Sequence, residues 1–316
     1  MSIAVIIQQM IMIFILIIVG GVLYKTKILS EAASKEISGI IINVTNPAML
    51  ITSALESAEK LAPDQIGIAF IAFGGMYVLL FLLAYLLIPI LKIEKQDRYA
   101  YKLMFIFANV GFMGIPIASA VIGPESLIFV SICNLLFSII IYTYGISIIR
   151  KAAIEQKTQA DVPKGKMFLK MINAGTIAAV VTIIFYLMDI SLPNIVTETL
   201  SYAGRCTTFL SMIVLGVSVV KMKPKEIFGK PRMYLFVLIR LIIVPLIVIF
   251  VAKRFISSEL MVNTILVMAS VPMGNMPLMF SKQYGLREDD ISTGIILSTV
   301  LSLLTIPVVS MIAKII

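Results

Sequence analysis

Ten apolar runs of about bilayer length follow one another along the chain, at 3–24, 35–55, 66–91, 100–122, 126–149, 168–188, 195–220, 233–252, 260–281 and 291–313. A helix needs about 20 mostly apolar residues to cross the hydrocarbon of a membrane. In that medium each backbone polar group must be satisfied internally, so such runs form helices. The second and seventh runs are the most polar. The first has no basic segment ahead of it and no small-residue cleavage site behind it, and it reads as a retained helix, not a signal peptide. The sequence is 60 % hydrophobic and 14 % charged, against roughly 45–50 % and about 25 % in soluble domains. A water-soluble enzyme is excluded on that ground.

The charges alternate with the runs. Of 26 basic residues, 20 lie in or beside the connections that follow runs 1, 3, 5, 7 and 9, including Lys92, Lys95, Arg98, Arg150, Lys151, Lys221 and Arg287. The opposite connections and the C-terminus hold only Lys60, Lys253, Arg254 and Lys314. By the positive-inside rule the basic side is cytoplasmic and both termini face outward. The net charge of +9 is then a topology signal and an attraction to anionic lipid, not a nucleic-acid footprint. The sequence has no histidine, which removes histidine catalysis, proton relays and metal ligation. No cofactor and no metal site is expected. Cys133 and Cys206 both sit inside apolar runs and read as small buried hydrophobes. The 19 methionines form no motif and read as packing.

The long hydrophilic stretch 150–166 divides the chain into a first unit, 1–150, a cytoplasmic connection, 151–166, and a second unit, 167–316. Five runs per unit is an odd number, so the second unit enters the membrane from the opposite side, the arithmetic of an inverted repeat. The fourth run of each unit carries a glycine-proline cluster: Asn109-Val-Gly-Phe-Met-Gly-Ile-Pro116 in run 4 and Val271-Pro-Met-Gly-Asn-Met-Pro277 in run 9. Proline removes a helix donor and clashes with the preceding turn, and glycine tolerates an unwound backbone. Two such clusters at corresponding places predict two broken helices. Pro116 and Pro277 suit the first position of the half-helices that follow. The N-termini of those half-helices carry about half a positive charge each and unsatisfied N–H groups, an arrangement that suits a carboxylate.

Asn109, Ser119, Ser270 and Asn275 lie at the depth of the breaks. Asn134, and Asn43 and Asn46 beside Pro47, are either further site residues or ordinary interhelical hydrogen bonds. All 17 acidic residues lie in connections or near run ends, which disfavours ion carriers that rely on intramembrane carboxylates. Arg240 and Arg205 therefore lack an acid at their depth. Arg240 is read either as a residue helping to hold an anion or as a structural arginine satisfied by carbonyls; Arg205 and Lys282 are left without an assigned role.

These residues also carry a resemblance. The chain is similar to the auxin efflux carriers, which include bacterial malonate- and malate-type permeases and the plant PIN-FORMED exporters. The similarity rests on the two clusters, the second continuing to Tyr284 and then Asp290-Ile-Ser-Thr-Gly294. It is supported by Asn46-Pro47, Leu215-Gly216 and Arg240-Leu-Ile-Ile-Val-Pro245. The resemblance implies an all-α fold of ten transmembrane helices in two inverted five-helix repeats. Helices 1, 2, 6 and 7 would form a scaffold, often dimeric, and helices 3–5 and 8–10 a moving transport domain. The substrate would bind where helices 4 and 9 cross, with Asn109 matching a residue that contacts the carboxylate. The chain departs from the plant pattern in its short central connection, and from many bacterial relatives in having Thr207-Thr208 where they have proline. The expectation is a plasma-membrane carrier of small organic anions working by rocking or elevator-like movement of one bundle against the other. A sodium- or proton-coupled symporter and a channel are the alternatives.

Overall fold

The computed structural model describes residues 3–55, 63–157, 172–221, 231–287 and 289–315. Most of the connection 151–166 therefore lies outside the described residues. Among those described there is no strand; the elements are helices, several of them interrupted.

In chain order these are α1 (Ile3–Lys25), α2 (Glu31–Ile40), α3 (Asn46–Leu55), α4 (Pro63–Ile90), α5 (Arg98–Ile106), α6 (Ile115–Val121), α7 (Leu127–Ile140) and α8 (Ile146–Glu155). They continue with α9 (Ala174–Leu187), α10 (Asn194–Val220), α11 (Pro231–Leu238), α12 (Val244–Phe255), α13 (Glu259–Ser270), α14 (Met276–Gln283) and α15 (Asp289–Ala313). Three pairs are not separate rods. A single wide π turn joins α2 to α3 (Ile41–Thr45), α7 to α8 (Ile141–Gly145) and α11 to α12 (Ile239–Ile243), and another, Val110–Gly114, leads into α6.

Among the described residues seven helical stretches are long and apolar enough to cross a membrane: Ile7–Lys25, Glu31–Leu55, Asp64–Ile90, Pro124–Glu155, Asn194–Val220, Pro231–Phe255 and Asp289–Ala313. Val110–Val121, Ala174–Leu187 and Glu259–Ser270 are shorter apolar helices. The molecule is a multi-pass helical membrane protein. Helix starts carry the caps their sequences offer, because the first N–H groups of a helix have no internal acceptor. Ser30 Oγ accepts from Ala33 N at 3.0 Å, Asn173 Oδ1 from Thr176 N at 3.1 Å, and Ser258 Oγ from Met261 N at 3.3 Å.

Two sets of helix contacts stand out, and the packing of α9 on α7 joins them. In one, α1 runs along α10, α10 along α3, and α3 against α9. Gly20, Gly21 and Gly216 let α1 and α10 approach until a Cβ added at Gly20 or Gly216 would strike the facing backbone, the small-residue contact of membrane helices. Lys221 and Glu31 pair at the end of that seam. In the other group α4 packs on α5 and α7, α12 on α13, and α15 on α5, α11, α12 and α13. Cys133 is buried as expected, whereas Cys206 is exposed. An apolar run in a membrane protein is apolar all round, so its composition does not say which residues meet protein and which meet lipid.

Candidate functional site

Both glycine-proline clusters interrupt their helices. In the first, α5 ends at Ile106, residues 107–109 are not helical, and helix resumes with the π turn from Val110. In the second, α13 ends at Ser270 and α14 begins at Met276. The two unwound segments meet in antiparallel register, Ala108 opposite Met273. Asn109 N donates to Pro272 O at 2.7 Å and Gly274 N donates to Phe107 O at 2.9 Å. Each break therefore satisfies part of the backbone that the other leaves unpaired, as a buried interruption must. A Cβ on Gly274 would lie 2.8 Å from Ala108 O and 3.1 Å from Ala108 C. Glycine is required there by the closeness of the two backbones.

Asn109 holds the first break. It is 6 % exposed; its Oδ1 accepts from Phe112 N at 3.2 Å, and its carbonyl accepts from Met113 N and Gly114 N at 3.2 and 2.9 Å. Its Nδ2 donates to no acceptor among the described residues. Pro116 is buried behind the π turn, later than the first helical position expected for it. Pro277 is buried as the second residue of α14. Asn275 is exposed immediately before α14, and its carbonyl accepts from Met279 N at 3.1 Å. The amides of Gly111, Asn275 and Met276 find no acceptor among the described residues. Three donors thus flank the crossing, at the starts of two helices.

Other candidates are partly drawn in. Asn46, 5 % exposed, donates from Nδ2 to Gly111 O at 3.0 Å, tying α3 to the first break. Its Oδ1 and Thr45 Oγ1 are buried without a donor among the described residues. Asn134 donates to Gly175 O at 3.2 Å and so links α7 to α9. Asn43 is exposed and turns back on its own helix, Nδ2 to Gly39 O at 2.8 Å. The bond of Asn134 runs between helices and that of Asn43 stays within its own helical stretch. The side chain of Lys282 lies outside the described residues.

Arg240 is fully buried. Its Nε donates to Phe105 O at 2.7 Å and its Nη1 to Ala269 O at 2.6 Å, the carbonyls at the ends of α5 and α13. It braces both breaks from behind. Ser298 braces the second break from α15, its Oγ accepting from Met273 N at 3.1 Å. No sequence signal singled out Ser298: one serine among several in an apolar run has no period or motif to mark it.

A multi-pass helical protein in which two interrupted helices hydrogen-bond across one another, with orphan donors at the crossing, belongs to the class of membrane transport proteins. The chain is a member of the membrane transport protein family, the auxin efflux carrier family, whose profile matches residues 5–310. Members of this family are transporters, not enzymes. The chain is 26 % identical over 311 residues to the uncharacterized transporter MJ1031 of Methanocaldococcus jannaschii, a match covering 93 % of this chain and 94 % of that protein.

Proposed function

We propose that this transporter carries small organic carboxylate anions, auxin-like or malonate- and malate-like, by alternating access. The observation that carries this reading is the set of unpaired amides of Gly111, Asn275 and Met276 beside the Ala108–Met273 bridge. Helix N-termini offer N–H donors and about half a positive charge each. Two of them, together with the free Nδ2 of Asn109, match the lone pairs of one carboxylate. In this reading the ten helices form two inverted five-helix repeats. The group of α1, α2, α3, α9 and α10 is the scaffold, through which two copies associate. The remaining helices move against it as an elevator in the plasma membrane, with both termini outside.

Binding to the purified protein tests it. Thermal unfolding is followed across a panel of carboxylic acids and their neutral amides, with and without sodium. An acid stabilises the protein and its amide does not. Asn109→Ala weakens the acid about tenfold or more, a loss of about 1.4 kcal/mol, and lowers intrinsic stability only by the worth of a cap, about 1 kcal/mol. Asn109→Asp keeps the cap but sets a carboxylate against the anion, and binding disappears. If no acid stabilises the protein under any cation condition, the carboxylate reading fails.

One observation favours a cation-coupled version. Asn46 Oδ1, and Thr45 Oγ1 on the preceding residue, are buried oxygens without a donor among the described residues, Asn46 reaches the first break, and oxygen is the ligand that hard cations take. In that version the acid's stabilisation appears only with sodium.

A further inference from the structure

A second polar cleft lies apart from the crossing. Its walls are Met49 and Thr52 of α3, Ser119 of α6, Leu127 of α7, and Ser201 and Arg205 of α10, and its volume is about 170 Å³. That is room for about five waters or one small carboxylate. We propose that this cleft is an anion-receiving vestibule, with the Arg205 guanidinium as its charge and the hydroxyls of Thr52, Ser119 and Ser201 as its hydrogen-bonding groups.

Two independent observations point there. Among the described residues Arg205 is the sole charged side chain lining the cleft, and it pairs with no carboxylate there. It lies 11 residues into α10, about 16 Å along the axis at 1.5 Å per residue. Its end of the helix is the one whose connections carry few basic residues, so it is not part of the topology signal. An unpaired cation at such depth is expensive unless it faces a water-filled or ligand-filled space. Thr52 is the second. It is 7 % exposed, and its Oγ1 is buried without a partner while its side chain lines the same cleft. A buried hydroxyl left unpaired is unfavourable, and an anion or its hydrating water completes it.

The fold produces the cleft. Gly204 brings α10 against α3 so closely that a Cβ there would lie 2.8 Å from Met49 Cα. Thr52 and Ser53 follow one turn further along α3, and Ser53 is occupied, donating to Leu50 O at 2.6 Å. Glu125, the nearest acid in sequence to the lining residue Pro124, lays its carboxylate over Gly123. The walls come from α3 and α10 on one side and from α6 and α7 on the other, and Ser119 stands on the helix that leads back to the crossing. That the occupant is a carboxylate rests on the function proposed above; the preference for anions does not.

The test uses cysteine chemistry in the full-length protein in nanodiscs. In a Cys206→Ser background, which keeps the buried Cys133, Ser201→Cys and separately Ser119→Cys are reacted with the anionic sulfonatoethyl and the cationic trimethylammonioethyl methanethiosulfonates. Rates are normalised to those of a free thiol. The anionic reagent is expected to react about tenfold faster than the cationic one. Arg205→Gln brings the ratio to about one and Arg205→Lys preserves it. Malonate slows the reaction and malonamide does not. Equal ratios with and without Arg205, or no reaction at either cysteine, overturn the vestibule. A retained ratio with no carboxylate stabilising the protein leaves the vestibule standing and removes the proposed substrate class. Carboxylate stabilisation with a flat ratio does the reverse.

Discussion

A buried arginine with no acid at its depth is an anomaly until its surroundings are counted. Arg240 donates to Phe105 O and Ala269 O, at the C-terminal ends of two half-helices. The last carbonyls of a helix have no internal donors, and each C-terminus carries about half a negative charge. Two such ends balance about one guanidinium, so the dipoles of α5 and α13 stand where a carboxylate would in a soluble protein. The planar fork also fixes the spacing of the two ends, which an ammonium cannot do. Arg240→Met should therefore destabilise the protein by about 3–5 kcal/mol, read as a lower denaturant midpoint in detergent micelles, and Arg240→Lys should recover part of that. The exposed Arg205, replaced by Met in the same way, should leave the midpoint nearly unchanged. A midpoint for Arg240→Met within about 0.5 kcal/mol of the parent would mean that the two carbonyls do not depend on it.

At the scale of the element, the breaks were legible in the sequence and the π turns were not. A proline clashes with the carbonyl four residues before it, and a π turn moves that carbonyl aside. Pro47, Pro116 and Pro245 each stand two residues beyond a π turn: Ile41–Thr45, Val110–Gly114 and Ile239–Ile243. The fourth turn, Ile141–Gly145, has Ser147 in the equivalent place, and its hydroxyl donates to Thr143 O at 2.7 Å. Apolar periodicity could not reveal these turns, because lipid-facing and protein-facing residues are equally apolar. Residue type likewise gave the polarity of Asn43 and Asn134, and the packing gives their partners, Gly39 O and Gly175 O. Gly274 was legible as a break residue, but its reason is the 2.8 Å approach to Ala108 O. Gly274→Ala should thus push the two segments apart, costing about 1–3 kcal/mol and abolishing carboxylate stabilisation. Gly67→Ala on α4, where an added Cβ meets nothing within 4 Å, should stabilise the helix by up to about 1 kcal/mol. Equal effects of the two substitutions in thermal unfolding would separate the crossing from any steric requirement.

At the scale of the whole molecule, run length and composition delivered a multi-pass, all-helical membrane protein, while the way its helices pack comes from contacts that no single run encodes. The seam between α1 and α10 is glycine-lined and tight. Between α3 and α6 lies a cleft, and among the described residues α3 reaches the first break through the bond from Asn46 to Gly111 O. If the proposed elevator moves between α3 and α6 and not along the seam, covalent bridges at the two places must have opposite consequences. A Cβ at Gly21 would stand 3.9 Å from Val220 Cβ, inside the roughly 3.5–4.5 Å range of a disulfide, and the Val220 methyl that would obstruct it leaves with the substitution. Gly21→Cys with Val220→Cys should oxidise spontaneously in a Cys206→Ser background and leave uptake into proteoliposomes intact, since both helices belong to one rigid group. Met49→Cys with Ser119→Cys places thiols on the two sides of the cleft. A short bifunctional methanethiosulfonate joining them should stop uptake, and reduction should restore it. Uptake that survives the second bridge would rule out relative movement of α3 and α6, and with it the elevator. Uptake lost to the first and regained on reduction would put the moving seam between α1 and α10.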